Sequence, residues 1–179
     1  FIVEIMGHKV GWLTLHAGIA GGADIILVPE IPYDINKVAA AVNKRAKEGK
    51  RFSIIAVAEG AISKEQAALS KKEYKKYIAT RQYPSISYEI GAKISELTGQ
   101  EVRVAVPGHM QRGGNPTAKD RVYASYMGAL AVDLLCSGAT NRVVGYRNGQ
   151  YIDYDIEDAL GMAKDVDQYE FEIAQILGR

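Results

Sequence analysis

From Pro107 the chain reads Pro107-Gly108-His109-Met110-Gln111-Arg112-Gly113-Gly114-Asn115-Pro116-Thr117, with Asp120 and Arg121 just beyond. Histidine, arginine and glycine concentrated in one turn-rich stretch before a helical pattern suit an anion. Glycines let the backbone come close to a ligand, Arg112 offers a planar donor fork to phosphate, and a helix start adds unpaired N–H groups. The same residues also read as an ordinary strand-to-helix turn, with Arg112 solvated and His109 packed beneath it. Asp120 reads as an acid favoured by the helix dipole, with Arg121 beside it in a surface ion pair.

Three other positions carry chemistry. Met6-Gly7-His8 closes an apolar run, and His8 either donates to phosphate or packs as a satisfied histidine. Glu59, followed by Gly60, ends another apolar run; its carboxylate either accepts hydrogen bonds from sugar hydroxyls or reaches solvent. Arg103 interrupts a third such run, and a guanidinium there either pairs internally or reaches across an interface to an anion. The chain has no Gly-x-x-x-x-Gly-Lys-Ser/Thr loop, no Gly-x-Gly-x-x-Gly, no Gly-x-Ser-x-Gly and no cysteine-histidine set with metal-ligand spacing.

Strand-length apolar runs alternating with helical patterns must position these groups. Strands are expected over 1–6, Ile25–Val28, Phe52–Ala58 and Val102–Val106. Helices are expected over 10–21 (Trp12, Leu13, Leu15 and Ile19 inward), 35–48, Lys64–Ile78, Ile86–Leu97 and 118–136, the last with Val122, Tyr126, Met127, Leu130 and Leu134 facing a core. Val143–Tyr146 and Gln150–Asp153 read as a hairpin around Asn148-Gly149, and two short helices end the chain. Such alternation implies a three-layer α/β fold with a largely parallel sheet, whose ligands collect at the carboxyl ends of strands. Met6–His8, Glu59 and His109 with Arg112 all fall at such ends.

With 179 residues, 22 Lys+Arg and 21 Asp+Glu, the chain is expected to form one domain with no charge excess to attract nucleic acid. No apolar run is long enough for a membrane helix. The single cysteine, Cys136, follows two leucines and reads as a buried structural thiol in a reducing compartment, the cytoplasm. Phe1-Ile2-Val3-Glu4-Ile5-Met6 begins inside an element, which suggests a piece of a longer protein.

Val3-Glu4-Ile5-Met6-Gly7, Gly11-Trp12-Leu13, Ala17-Gly18-Ile19-Ala20-Gly21-Gly22-Ala23-Asp24 and the Gly108–Thr117 run together strongly resemble 6-phosphofructokinases, from residue 1 to about 146. Only the C-terminal half of that two-domain subunit is resembled; the half with the phosphoryl-donor site and the catalytic base has no counterpart. The resemblance implies that Met6, Gly7 and His8 line a fructose 6-phosphate pocket, that Glu59 takes sugar hydroxyls, and that His109, Met110, Gln111 and Arg112 form its phosphate side. Arg103 matches an arginine that reaches the phosphate from a neighbouring subunit, which implies a homo-oligomer, dimer or tetramer. The family uses ATP or pyrophosphate with Mg2+, held mainly by the missing half, and is cytoplasmic and glycolytic.

Departures accompany the match. The family usually has arginine in place of His8. The chain is longer than the short bacterial enzymes between Glu59 and Arg103, an insertion over about 60–100, and Glu59-Gly60-Ala61 with this insertion looks more like the pyrophosphate-dependent or mixed branch. Gly22, Asp24 and Lys50 match parts of a nucleotide effector site, but Glu48 stands where a cation is expected and reverses the sign of that contact, so nucleotide regulation is expected to be weak or absent. The alternatives are a non-catalytic sugar-phosphate-binding or regulatory subunit, and an unrelated nucleotide-binding module.

Overall fold

A computed structural model describes residues 1–162 and 165–178. They form two compact units, one of 1–112 with 165–178 and one of 113–162. The first unit runs β1 (Ile2–Ile5), α1 (Trp12–Gly21), β2 (Ile25–Leu27), α2 (Ile35–Lys47), β3 (Ile55–Ala58), α3 (Lys64–Ala67), α4 (Lys71–Thr80), α5 (Ile86–Thr98), β4 (Val104–Ala105) and a 3-10 turn (Gly108–Arg112). The second holds α6 (Ala118–Cys136), β5 (Arg142–Arg147), β6 (Gln150–Asp155) and α7 (Ile156–Gly161), and α8 (Gln168–Leu177) returns to the first.

The four strands of the first unit pair in parallel in the order β2-β3-β1-β4, with Ile2 opposite both Ile55 and Val104. Side chains alternate between the faces of a strand, so each face builds its own core. Ile2, Leu27, Ile55 and Val57 pack against Val38 and Val42 of α2 and Ile86, Ile90 and Ile94 of α5. Ile5, Ile26, Val28 and Ala56 pack against Leu15 of α1 and Phe171 and Ala174 of α8. Helices on both faces of a parallel sheet make the expected three-layer α/β architecture.

Element edges differ from the expectation where local chemistry overrides the apolar pattern. Helix 64–78 is two helices, because Ser70 caps the Glu73 N–H while the Glu73 carboxylate accepts from the Ser70 N–H, starting α4 afresh. β3 begins at Ile55 rather than Phe52, whose ring is exposed against Phe1. In α1 Leu15 is buried, but Leu13 is exposed and Thr14 and Gly18 take the inward positions. A Cβ at Gly18 would stand 2.5 Å from Ile26 Cδ1, so this helix approaches the sheet through a small residue that a hydrophobic count ignores.

In the second unit the Asn148-Gly149 hairpin forms, in register from Arg142–Asp155 to Arg147–Gln150. Helix α6 has no buried residue: Met127, Leu130 and Leu134 are half-buried, Val122 and Tyr126 are exposed, and Cys136 is exposed rather than a buried thiol. A helix on a two-stranded ribbon has only one covered side. Asp120 accepts from the Thr117 N–H in a capping box rather than pairing with Arg121, and the Thr117 hydrogen bonds hold its carboxyl below the usual aspartate range. Among the described residues no helix is long and apolar enough to cross a membrane.

The 60–100 segment is tied down by a buried polar network. Glu89 of α5 accepts from Tyr77 Oη and from Lys93 Nζ at 2.8 Å, with Arg81 Nε 3.6 Å away, and Gln66 of α3 donates to Tyr77 Oη at 3.0 Å. Burial alone would raise the Glu89 carboxyl, but the hydrogen bonds from Lys93 and Tyr77 and the Lys93 and Arg81 charges outweigh it and hold the group below the ordinary glutamate value. A depressed folded-state pKa supplies stability above the unfolded value that is lost as pH falls through the folded one. Glu89→Gln is therefore expected to cost about 2 kcal/mol near neutral pH in chemical denaturation of the full-length protein. The difference from wild type should shrink in acid; an equal loss at both pH values would exclude the charge as its source.

Candidate functional site

Parallel strands deliver their carboxyl ends to one edge of the sheet, and four short segments meet there: Met6-Gly7-His8 after β1, Pro29-Glu30 after β2, Glu59-Gly60 after β3, and the 3-10 turn after β4. The turn after β1 has an unusual backbone. Gly7 has φ 154° and His8 has φ 55°, the left-handed region that non-glycine residues seldom enter. A Cβ on Gly7 would lie 2.5 Å from the Val10 carbonyl oxygen, so the turn is closed to any other residue there.

Side-chain oxygens from the other strand ends hold this turn by its N–H groups. Glu59 Oε1 accepts from Gly7 N at 3.2 Å and His8 N at 2.7 Å. Gln111 Oε1 accepts from Met6 N at 3.0 Å, and Glu30 Oε1 accepts from Gly11 N, at the start of α1, at 2.8 Å. Two successive N–H groups aimed at one carboxylate oxygen form an anion nest occupied by the protein's own Glu59. The other oxygen, Oε2, makes no hydrogen bond among the described residues.

His109 and Arg112 stand three residues apart in the 3-10 turn. With about three residues per turn, that spacing puts both on one side of it. Both are exposed, and among the described residues no carboxylate pairs with Arg112. Met110 is 83% exposed, whereas Gln111 is half-buried and turned inward to Met6. An exposed guanidinium and an exposed imidazole beside a held glycine turn make an arrangement suited to a phosphorylated, hydroxyl-bearing ligand.

Arg103 is not part of this cluster. It precedes β4 rather than lying on it, its carbonyl accepts from Ile2 N, and its exposed side chain pairs with Glu101 at 2.9 Å. The connection from Arg103 to Gly108 runs the length of the sheet, about 15 Å at the rise of an extended chain. Gly22, Asp24 and Lys50 also lie at the amino edge. Gly22 is the left-handed cap of α1, the Asp24 carboxylate pairs with Arg45 and accepts from Ile54 N at 2.7 Å, and Lys50 is exposed after α2.

The sequence did not single out Glu30, and it marked Gly60 only as the neighbour of Glu59. Glu30 follows β2 as Glu59 follows β3, so the strand-end position was a usable signal. Gly60 is fixed by space: a Cβ there would stand 2.0 Å from the His8 carbonyl oxygen.

A parallel sheet covered on both faces, with its polar residues gathered along the carboxyl edge, defines the class: a three-layer α/β protein with a candidate site beyond its strand ends. Within that class the phosphofructokinase family model matches residues 1–135, and the chain belongs to this family. It is 45% identical over 151 residues to the ATP-dependent 6-phosphofructokinase of Spirochaeta thermophila, covering 84% of this chain and 41% of that protein. To the ATP-dependent 6-phosphofructokinase of Halothermothrix orenii it is 42% identical over 177 residues, covering 99% of this chain and 50% of that protein. The chain thus spans about half the length of the curated relatives it matches. Among solved structures, Pichia pastoris phosphofructokinase in the T-state superposes with a TM-score of 0.68 at 30% identity, over 99% of this chain and 18% of that one. The pyrophosphate-dependent phosphofructokinase of Marinobacter aquaeolei shares the fold with a TM-score of 0.70 at 20% identity, over 94% and 42% of the two chains.

Proposed function

We propose that this chain supplies the fructose 6-phosphate site of a cytoplasmic, glycolytic 6-phosphofructokinase, with ATP as the phosphoryl donor. The observation that carries the reading is the convergence of the Gly7–His8 turn, Glu59 and the His109–Arg112 turn on one edge of the sheet. ATP is preferred over pyrophosphate because the relatives at 41–45% identity bear the ATP-dependent name, while the pyrophosphate-dependent likeness extends to the fold.

In this reading Arg112 and His109 hold the 6-phosphate, Met6, Gly7 and His8 line the sugar, and Met110 flanks them. Glu59 divides its work between its oxygens: Oε1 stays on the Gly7 and His8 N–H groups, and Oε2 accepts a sugar hydroxyl. Holding the acceptor orients its 1-hydroxyl toward the terminal phosphoryl group, and positioning of this kind supplies much of the catalysis in phosphoryl transfer. Arg103, at the opposite edge, serves the phosphate of a neighbouring subunit in a homo-oligomer. Gly22 and Lys50 are what remains of a nucleotide effector site whose regulation is weak or absent, whereas Asp24 is committed to Arg45 and shapes the entry to β2. The donor's magnesium is held mainly by the half of the subunit that this chain does not span.

Calorimetry on the full-length protein, comparing fructose 6-phosphate with ADP, tests the proposal when combined with an ATP-driven turnover assay. Saturable sugar-phosphate binding with formation of fructose 1,6-bisphosphate is expected. Binding of ADP alone would instead make the chain a nucleotide module. Sugar-phosphate binding without turnover would make it part of a non-catalytic subunit.

A further inference from the structure

Both ends of the Gln111 side chain are spent on the protein. Its Oε1 accepts from Met6 N at 3.0 Å and its Nε2 donates to the Gly108 carbonyl at 3.3 Å. Met6 belongs to the turn that faces the sugar, and Gly108 opens the 3-10 turn that presents His109 and Arg112. Among the described residues, no other hydrogen bond joins these two segments.

We propose that Gln111 is a positioning residue, which sets the separation between the phosphate-holding pair and the Gly7–His8 turn without itself contacting the ligand. This rests on the fructose 6-phosphate reading above. The chemistry of the side chain fits the task. A glutamine is long enough to span the gap and presents an acceptor and a donor on one planar group, as an N–H on one side and a carbonyl on the other require. Glutamate would accept from Met6 but set an oxygen against the Gly108 carbonyl, and methionine would match the length without either bond. Glu30 and Glu59 also hold the turn after β1, yet each comes from a segment other than the 3-10 turn, so neither can couple the two walls.

A ligand that touches both walls senses their separation; a ligand that touches one does not. The test uses the full-length enzyme carrying Gln111→Met. The fructose 6-phosphate KM is expected to rise about tenfold, with kcat at saturation within about twofold of wild type. Inorganic phosphate, measured as a competitive inhibitor, meets only His109 and Arg112 and should keep its inhibition constant. An equal loss for phosphate would mean that Gln111 contacts the ligand, and no change for either ligand would mean that the coupling is idle; each overturns the proposal. If Gln111→Met does not fold, Gln111→Leu carries the same test, because it too removes the Met6 bond, the one that joins the two segments. Arg112→Ala separates the two levels. If it leaves both ligands unaffected, the fructose 6-phosphate reading itself falls; if it weakens both while Gln111→Met does nothing, only the positioning role falls.

Discussion

Replacing Arg112 with alanine in the full-length protein raises the KM for fructose 6-phosphate about hundredfold, the loss expected when a charge-assisted, forked contact to a phosphate is deleted. A tenfold change corresponds to about 1.4 kcal/mol, so the effect is close to 3 kcal/mol, the upper end for hydrogen bonds to a charged partner. Melting temperature should stay where it is. Arg112 is exposed, and no carboxylate among the described residues pairs with it, so its removal orphans no internal group. Arg112→Lys keeps the charge but not the planar fork and should fall between the two. Steady-state kinetics with varied fructose 6-phosphate, beside a thermal melt of each variant, checks both halves. An unchanged KM with an unchanged melt would remove Arg112 from the site, and with it the reading of the 3-10 turn as a phosphate wall.

The turn that carries His109 and Arg112 was legible in the sequence because its signals are local. His109 and Arg112 are three residues apart, and glycines and prolines around them announce a turn after an apolar run. The parallel sheet was legible for the same reason, as was the Asn148-Gly149 hairpin. What could not be read was how distant residues meet. Gln111 looked like a ligand contact beside Arg112, yet its partner is Met6, 105 positions earlier. Asp24 looked like an effector residue, but its carboxylate is taken up by Arg45 and by Ile54 N, 30 positions away. Such pairings depend on strand register and helix approach, which apolar periodicity does not encode. Leu13 and Thr14 make the same point inside α1: the helix comes so close to the sheet at Gly18 that its buried side is chosen by size rather than hydropathy. Cys136 and α6 mark the opposite case, in which an apolar stripe promised a core and the hairpin covers only part of it.

Gly60→Ala should do more damage than its single methyl group suggests. The added Cβ would lie 2.0 Å from the His8 carbonyl oxygen and 3.2 Å from the carbonyl carbon, both backbone atoms that cannot rotate away. Restoring ordinary contact requires a displacement of about 1 Å, and errors of that size in a positioned site cost about a hundredfold in rate or affinity. The turn has little freedom to yield. His8 is already held in the left-handed region, its N–H is bonded to Glu59, and Glu59 is the residue next to the substitution. Any relief therefore moves the carboxylate and the turn together, and the Met6–Gln111 bond beyond them. The expected result is a loss of at least about hundredfold in fructose 6-phosphate affinity, together with about 1–3 kcal/mol of stability as in other overpacked sites. Gly21→Ala is the matched control, since a Cβ there meets nothing within 4 Å. It should leave affinity unchanged and raise or preserve stability, because alanine is the better helix former. Calorimetry and denaturation on the two variants decide the matter: equal behaviour of Gly60→Ala and Gly21→Ala would show that the close approach of Gly60 to His8 does not constrain the site.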